Sequence, residues 1–237
     1  MQATGREGRW DEHNSARQTR ILEAAVELLD ETDPGVAIPV QQIASRAGLA
    51  KSVVYRQFAG KDELERRIRS YLLDGFFATL NDRLDIGTGS IDEVLTRTVR
   101  AVADWAGDHR HRHEFMRAGP IAADDSGLDA IAVLKTRVAG RAREILEPIT
   151  AMLGVDYEPF ETLPYALVSM VEGTLSHWVG DPEPTRSRGE IVADLAALAW
   201  YALDGAARSV GLQPDPELEL ADAISRLTAD PPSPLPA

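Results

Sequence analysis

Lys51, Ser52, Tyr55, Arg56, Gln57 and Lys61 place six hydrogen-bond donors, three of them cationic, within eleven residues of this 237-residue chain. Such side chains suit phosphate oxygens and base edges: lysine can donate to guanine O6 and N7, and glutamine can pair with adenine. Val53, among them, carries methyl groups of the kind that meet a thymine methyl. From Pro34 to Lys61 the only charged side chains are Arg46, Lys51, Arg56 and Lys61, all positive. The background is opposite in sign, with 25 basic against 38 acidic residues and a formal net charge of −13. Residues 1–67 hold 10 basic and 11 acidic side chains, so the acidity sits in the C-terminal part. An acidic body does not exclude a polyanionic partner, because phosphate contacts are local and charges are screened beyond about 10 Å at moderate salt.

Those donors need a rigid support, and the surrounding residues supply one. Val40, Ile43, Ala44 and Ala47 recur at helical spacing and stop at Gly48, a residue able to take the left-handed conformation that ends helices. Pro39 suits a helix start, where its missing N–H is no loss. Ala44 is small where two helices must cross closely. Leu49 turns back to the core, and a second helix begins at Ala50 or Lys51, with Val54 and Phe58 four apart on its buried side. Lys51, Ser52, Val53, Tyr55, Arg56 and Gln57 are left on or near the open side. Two short helices joined at a glycine, with a third behind them, form the layout of a DNA-binding helix-turn-helix.

The segment resembles the N-terminal domain of the TetR family of transcriptional regulators. The family pattern is met in register by Ile43-Ala44, Ala47-Gly48, Lys51, Tyr55 with Phe58, and Lys61 with Leu64. A preceding helix, Ser15 to Glu31, extends the match, so specific motifs cover about residues 15–73 and only an all-helical pattern is shared beyond them. The resemblance implies that Lys51, Ser52 and Val53 enter a major groove and that Tyr55 reaches a phosphate. By the same resemblance Arg56 and Gln57 touch phosphate or a base edge, Lys61 holds phosphate, and Gln41 faces DNA from the supporting helix. Two departures stand out: Ala50 and Ile38-Pro39 occupy places where the family has capping hydroxyls. Loss of such a cap costs about 0.5–2 kcal/mol.

The chain has no cysteine, which excludes disulfides and thiolate metal sites and suits a reducing cytoplasm. No signal-like segment opens it, and its longest apolar tract, Leu195 to Leu203, falls well short of the about 20 residues a bilayer crossing needs. No glycine-rich phosphate loop, Gly-x-Ser-x-Gly elbow or His-Glu-x-x-His occurs, so an enzyme and a bound cofactor are not expected. The expected fold is all-α: a disordered arm over 1–13, a helix-turn-helix domain over 14–61, a larger helical ligand-binding and dimerisation domain over 62–229, and a proline-rich disordered tail over 230–237. Arg6 and Arg9 give the arm a chemistry suited to a minor groove.

Periodicity predicts helices over 62–84, 91–106, 109–117, 127–153, 160–179, 188–210 and a last short one over 217–228. The helices over 160–179 and 188–210 are apolar around much of their girth and therefore require cover on most sides. A second subunit can supply it. The resemblance implies the same, a homodimer through the last two long helices, which places two helix-turn-helix heads on a palindromic operator. It also implies a cavity for a small, largely apolar effector among the central helices. Phe76, Leu80, Trp105, Phe115, Met116, Met170 and Trp178 are the apolar candidates to line it, and Arg117 and His177 the polar ones to orient a ligand. His109, His111 and His113 offer a metal-like i, i+4 pair, but the interleaved Arg110 and Arg112 oppose a cation, so a solvated turn without metal is expected. The leading expectation is a ligand-responsive repressor; the alternative is a helical binding or interaction module that does not recognise DNA sequence, to which Ala50 alone points.

Overall fold

The structure, a computed structural model, describes residues 4–84, 86–121 and 129–229. Its helices are α1 (Thr4–Glu31), α2 (Val40–Arg46), α3 (Lys51–Gln57), α4 (Lys61–Arg83), α5 (Ile91–Asp108), α6 (Arg110–Arg117), α7 (Ala130–Met152), α8 (Leu163–Gly180), α9 (Arg188–Ser209) and α10 (Leu220–Ala229), with a 3₁₀ turn at Glu158–Phe160. Among the described residues extended pairing is confined to two isolated bridges, Ser90 with Glu219 and Pro120 with Asp129. The fold is all-α, as the apolar periodicity requires.

By packing, the chain forms two compact units, one of Met1–Gly75 with His109–Ala132 and one of Phe76–Asp108 with Val133–Ala237. The division falls inside α4 and follows packing rather than role. In the first unit Ile21, Ala25 and Leu29 of α1, Ile43 and Ala44 of α2, Val54 of α3 and Leu64 and Ile68 of α4 are buried. The α1 and α4 sets recur every four residues, which gathers each onto one face of its helix.

α1 starts eleven residues before the expected Ser15, so the arm foreseen over 1–13 is helical from Thr4 onward. Once a helix is nucleated, each further turn costs little, and no proline interrupts residues 4–14. The proline-rich tail lies outside the described residues.

The histidine run is not a solvated turn. His111 and His113 are buried on α6. The His111 ring Nδ1 donates to the Thr32 carbonyl at 2.9 Å. Arg112 binds both carboxylate oxygens of Asp30, with Nε to Oδ1 at 2.6 Å. The alternation of histidine and arginine therefore docks α6 on the C-terminal end of α1: the rings desolvate while the long guanidinium stem reaches a carboxylate. Among the described residues no cluster of His, Asp and Glu could hold a metal ion.

In the second unit Val99 and Ala103 of α5, Leu175 of α8 and Val192 and Leu195 of α9 form one buried cluster. A smaller cluster joins Leu153, Ala207 and Leu212. α9 opens on a complete capping box, in which the Ser187 hydroxyl accepts from the Glu190 N–H and the Glu190 carboxylate accepts from the Ser187 N–H. These bonds hold the Glu190 carboxyl below its ordinary range.

Candidate nucleic-acid interface

Gly48 makes the turn between α2 and α3. Its φ of +63° is left-handed. The Leu49 N–H donates to the Ala44 carbonyl at 2.9 Å and the Gly48 N–H to the Ser45 carbonyl at 3.1 Å. This double closure satisfies the last carbonyls of α2 and redirects the chain within two residues. α3 then begins at Lys51 without a side-chain cap at Ala50, and α2 begins at Val40 after an equally uncapped Pro39.

Val54 and Phe58 are buried beneath α3. The opposite side shows Lys51, Ser52, Tyr55 and Arg56 exposed, while Val53 and Gln57 are half-buried. Positions 51 and 55, and 52 and 56, are i, i+4 pairs, so these four side chains form one contiguous face. The Lys51 Nζ lies 5.8 Å from the centre of the Tyr55 ring. Gln57 has its Oε1 enclosed without a hydrogen-bond partner, which turns its amide partly toward the protein. On α2, Gln41 is exposed and its Nε2 donates to the Ser45 hydroxyl at 3.4 Å. Gln42 and Ser45, exposed beside it, belong to the same polar face and were not among the expected contacts; the buried Val40, Ile43 and Ala44 opposite are the signal that marks them.

The four cations of this region differ in what they face. Arg46 binds Glu31 through two guanidinium nitrogens and Glu27 at 3.3 Å, both carboxylates coming from α1. That pairing holds the Glu31 carboxyl below its usual range. Lys61 makes an i, i+4 pair with Glu65 at 3.4 Å, while half of its side chain remains exposed. Lys51 and Arg56 keep their charges for solvent, so the positive character of the segment concentrates on α3. The face thus offers two cations, a hydroxyl and a phenol on a seven-residue helix, a width and chemistry that fit a major groove.

Residues 21–68 match the family model for bacterial regulatory proteins, tetR family. That segment resembles the DNA-binding domain of the TetR family. The chain is 24% identical over 217 residues to an uncharacterized HTH-type transcriptional regulator found in two strains of Mycobacterium tuberculosis, covering 89% of this chain and 87% of that protein. A crystal structure of a tetR-family transcriptional regulator from Streptomyces coelicolor shares the fold, with a TM-score of 0.61 over 91% of this chain and 90% of that one at 22% identity. The chain thus resembles transcriptional regulators of the helix-turn-helix type.

The nine side chains expected around an effector fall in separate surroundings. Phe115, Met116 and Arg117 lie on α6 in the first unit: Met116 is fully buried, Arg117 is exposed, and the Phe115 ring lies 4.8 Å under the Arg69 guanidinium. Arg69 is itself buried and donates to the carbonyls of Phe115 at 3.0 Å and Pro120 at 3.3 Å; burial lowers its pKa. In the second unit the rings of Phe76 and Trp105 meet at 4.5 Å, and Leu80 is buried. Met170 and Trp178 pack on the cluster around Leu175, with the Trp178 indole donating to the Arg186 carbonyl at 2.8 Å. His177 is exposed. A large apolar cavity exists in the second unit, but it is bordered by none of the nine. Ile145 and Ile149 of α7, Leu153 just after it, and α10 line this cavity.

Proposed function

We propose that this chain is a homodimeric, effector-responsive repressor that acts in the cytoplasm on a palindromic operator. Residues 14–61 read DNA, and residues 62–229 dimerise and take up the effector. The observation that carries the DNA-contact assignment is the exposed face of Lys51, Ser52, Tyr55 and Arg56, whose donors meet no competing carboxylate among the described residues. Lys51, Ser52 and Val53 meet base edges, Arg56 and Gln57 follow along the groove, and Tyr55, Lys61 and Gln41 fix register on phosphates.

The dimer reading is supported by apolar side chains left open on the last two long helices. Tyr165 of α8 is 50% exposed, and Leu198 and Tyr201 of α9 are 48% and 67% exposed. Their neighbours include Ala166, Gly173, Ala202 and Gly205, small residues that let helix backbones approach. Two-fold pairing there repeats the recognition helix about one DNA turn apart. An effector weakens operator binding by favouring a dimer whose recognition helices are wrongly spaced, to the extent of its differential affinity for the two states. Among the described residues no helix is long and apolar enough to cross a membrane.

Selection from random-sequence duplexes tests the reading. A palindromic consensus is expected from the purified dimer. Equal affinity for all sequences at moderate salt overturns it in favour of a helical binding module.

A further inference from the structure

The first unit carries a pocket of its own, about 50 Å³ in volume. Leu29 of α1, Val36 and Ile38 of the loop before α2, Ile68 of α4 and Phe115 of α6 form its apolar wall, and Lys61 and Glu65, one turn apart on α4, form its polar edge. We infer that this pocket binds a short aliphatic carboxylate, with the hydrocarbon tail inside and the head group on Lys61. Because Lys61 is also a proposed phosphate contact, bound carboxylate and DNA compete for it. That competition rests on the proposed DNA-binding reading, whereas the site does not.

Small side chains make the room: Ala25 of α1 and Ala37 of the loop both border the pocket. The wall is fixed from three directions. The Val36 N–H donates to the Asp33 carbonyl at 3.1 Å across Gly35, whose φ of +82° is left-handed. Where that loop begins, the Thr32 carbonyl accepts from the His111 ring at 2.9 Å. The Phe115 ring lies 4.8 Å under the Arg69 guanidinium, which also donates to the Phe115 carbonyl. A wall set before binding spares the ligand the cost of ordering it.

The edge selects the charge of the ligand. Glu65 faces two cations, with Lys61 Nζ 3.4 Å from its Oε1 and an Arg69 nitrogen 3.4 Å from its Oε2. Each carboxylate oxygen is thus already met, while the half-exposed ammonium has three donors and directs one at Glu65. The capacity left over is donor capacity beside a positive surplus, which an anionic acceptor satisfies. A cationic head group there meets Lys61 as a like charge. The volume selects the tail: a water-sized body needs about 10–15 Å³, so the pocket holds about four such bodies, the bulk of a propyl or butyl chain.

Methyl NMR of the full chain labelled at isoleucine, titrated with sodium acetate, propanoate, butanoate, pentanoate and heptanoate, tests the site. Ile38, Ile43 and Ile68 line this pocket, whereas Ile91, Ile145 and Ile149 line the cavity of the second unit, so the methyls that shift report which space is occupied. Saturable shifts of the first three are expected, with affinity rising about fourfold per added methylene as far as pentanoate and no further at heptanoate. 1-Pentanol should bind about threefold more weakly than pentanoate, the worth of one exposed ion pair. Lys61→Gln should abolish that difference and keep the chain-length trend. Ala25→Val, which narrows the pocket, should weaken pentanoate about tenfold; if it also lowers the melting temperature, the wild-type series and the exposed Lys61→Gln variant decide alone. Absence of saturable shifts, shifts confined to Ile91, Ile145 and Ile149, a flat chain-length series, or a carboxylate preference that survives Lys61→Gln overturns the inference. Operator affinity at saturating pentanoate, compared with acetate at equal ionic strength, should fall at least about threefold, as loss of one phosphate contact implies. Unchanged affinity overturns the competition. Carboxylate shifts in a protein that prefers no DNA sequence sink the regulator reading and uphold the site.

Discussion

Arg46 and Lys51 lie five positions apart and carry the same charge, yet they face different partners. Arg46 is held by Glu27 and Glu31, whereas Lys51 projects to solvent from α3. Replacing Tyr55 by Phe or Lys61 by Ala is expected to weaken DNA binding evenly across sequences, with Lys61→Ala lowering the salt slope by about one. Lys51→Ala should instead relax preference at one operator position. Arg46→Ala should leave the salt slope unchanged and lower the stability of the domain; mobility-shift titrations over a salt series and thermal melts distinguish these effects. The same ion pair predicts a pH dependence. Because the Glu31 carboxyl is held below its unfolded value, its contribution is fully present above the ordinary carboxylate range and is lost as pH falls through the folded value. Urea midpoints of wild type and Glu31→Gln should differ at about pH 7 and converge below about pH 4. A constant difference across that window refutes the assignment.

At the scale of the element, the helix-turn-helix rests on one glycine and lacks two caps. Gly48 has a left-handed φ, and a Cβ built there meets only the Arg20 guanidinium at an ordinary 3.7 Å. The cost of Gly48→Ala is therefore conformational rather than steric, about 1–2 kcal/mol. Ala50 has the extended backbone of an N-cap but no oxygen to offer. Ala50→Ser should stabilise the domain by about 1 kcal/mol. Chemical denaturation of both variants checks the pair of signs, and a stabilised Gly48→Ala would contradict the turn geometry.

Across the whole molecule, surplus negative charge lies C-terminal to residue 67 while the free cations of the proposed DNA face lie on α3. Net charge therefore says little about partners here; local charge decides. In the proposed dimer, assembly rests on the open apolar side chains of α8 and α9. Leu198→Glu combined with Tyr201→Glu is expected to convert a dimer to a monomer by light scattering, with helix content retained. Operator affinity should then fall toward that of a single half-site. A variant that stays dimeric moves the interface elsewhere.

Periodicity in the residues alone determined the all-α class, the order of the helices and the helix-turn-helix, because apolar spacing and a glycine stop are local signals. The exposed face of α3 was legible for the same reason: Val54 and Phe58 mark the buried side and the remainder follows from the helical repeat. Only the tertiary structure decided which cations are free, since Glu27 and Glu31 reach Arg46 from another helix. It also buried the histidines of α6, a helix docked by His111 on the Thr32 carbonyl and by Arg112 on Asp30, partners about eighty residues away in sequence. The cavity under α10 was invisible in the chain for a related reason. An aliphatic side chain facing a void and one facing a neighbour have the same spacing, and only three-dimensional packing tells them apart.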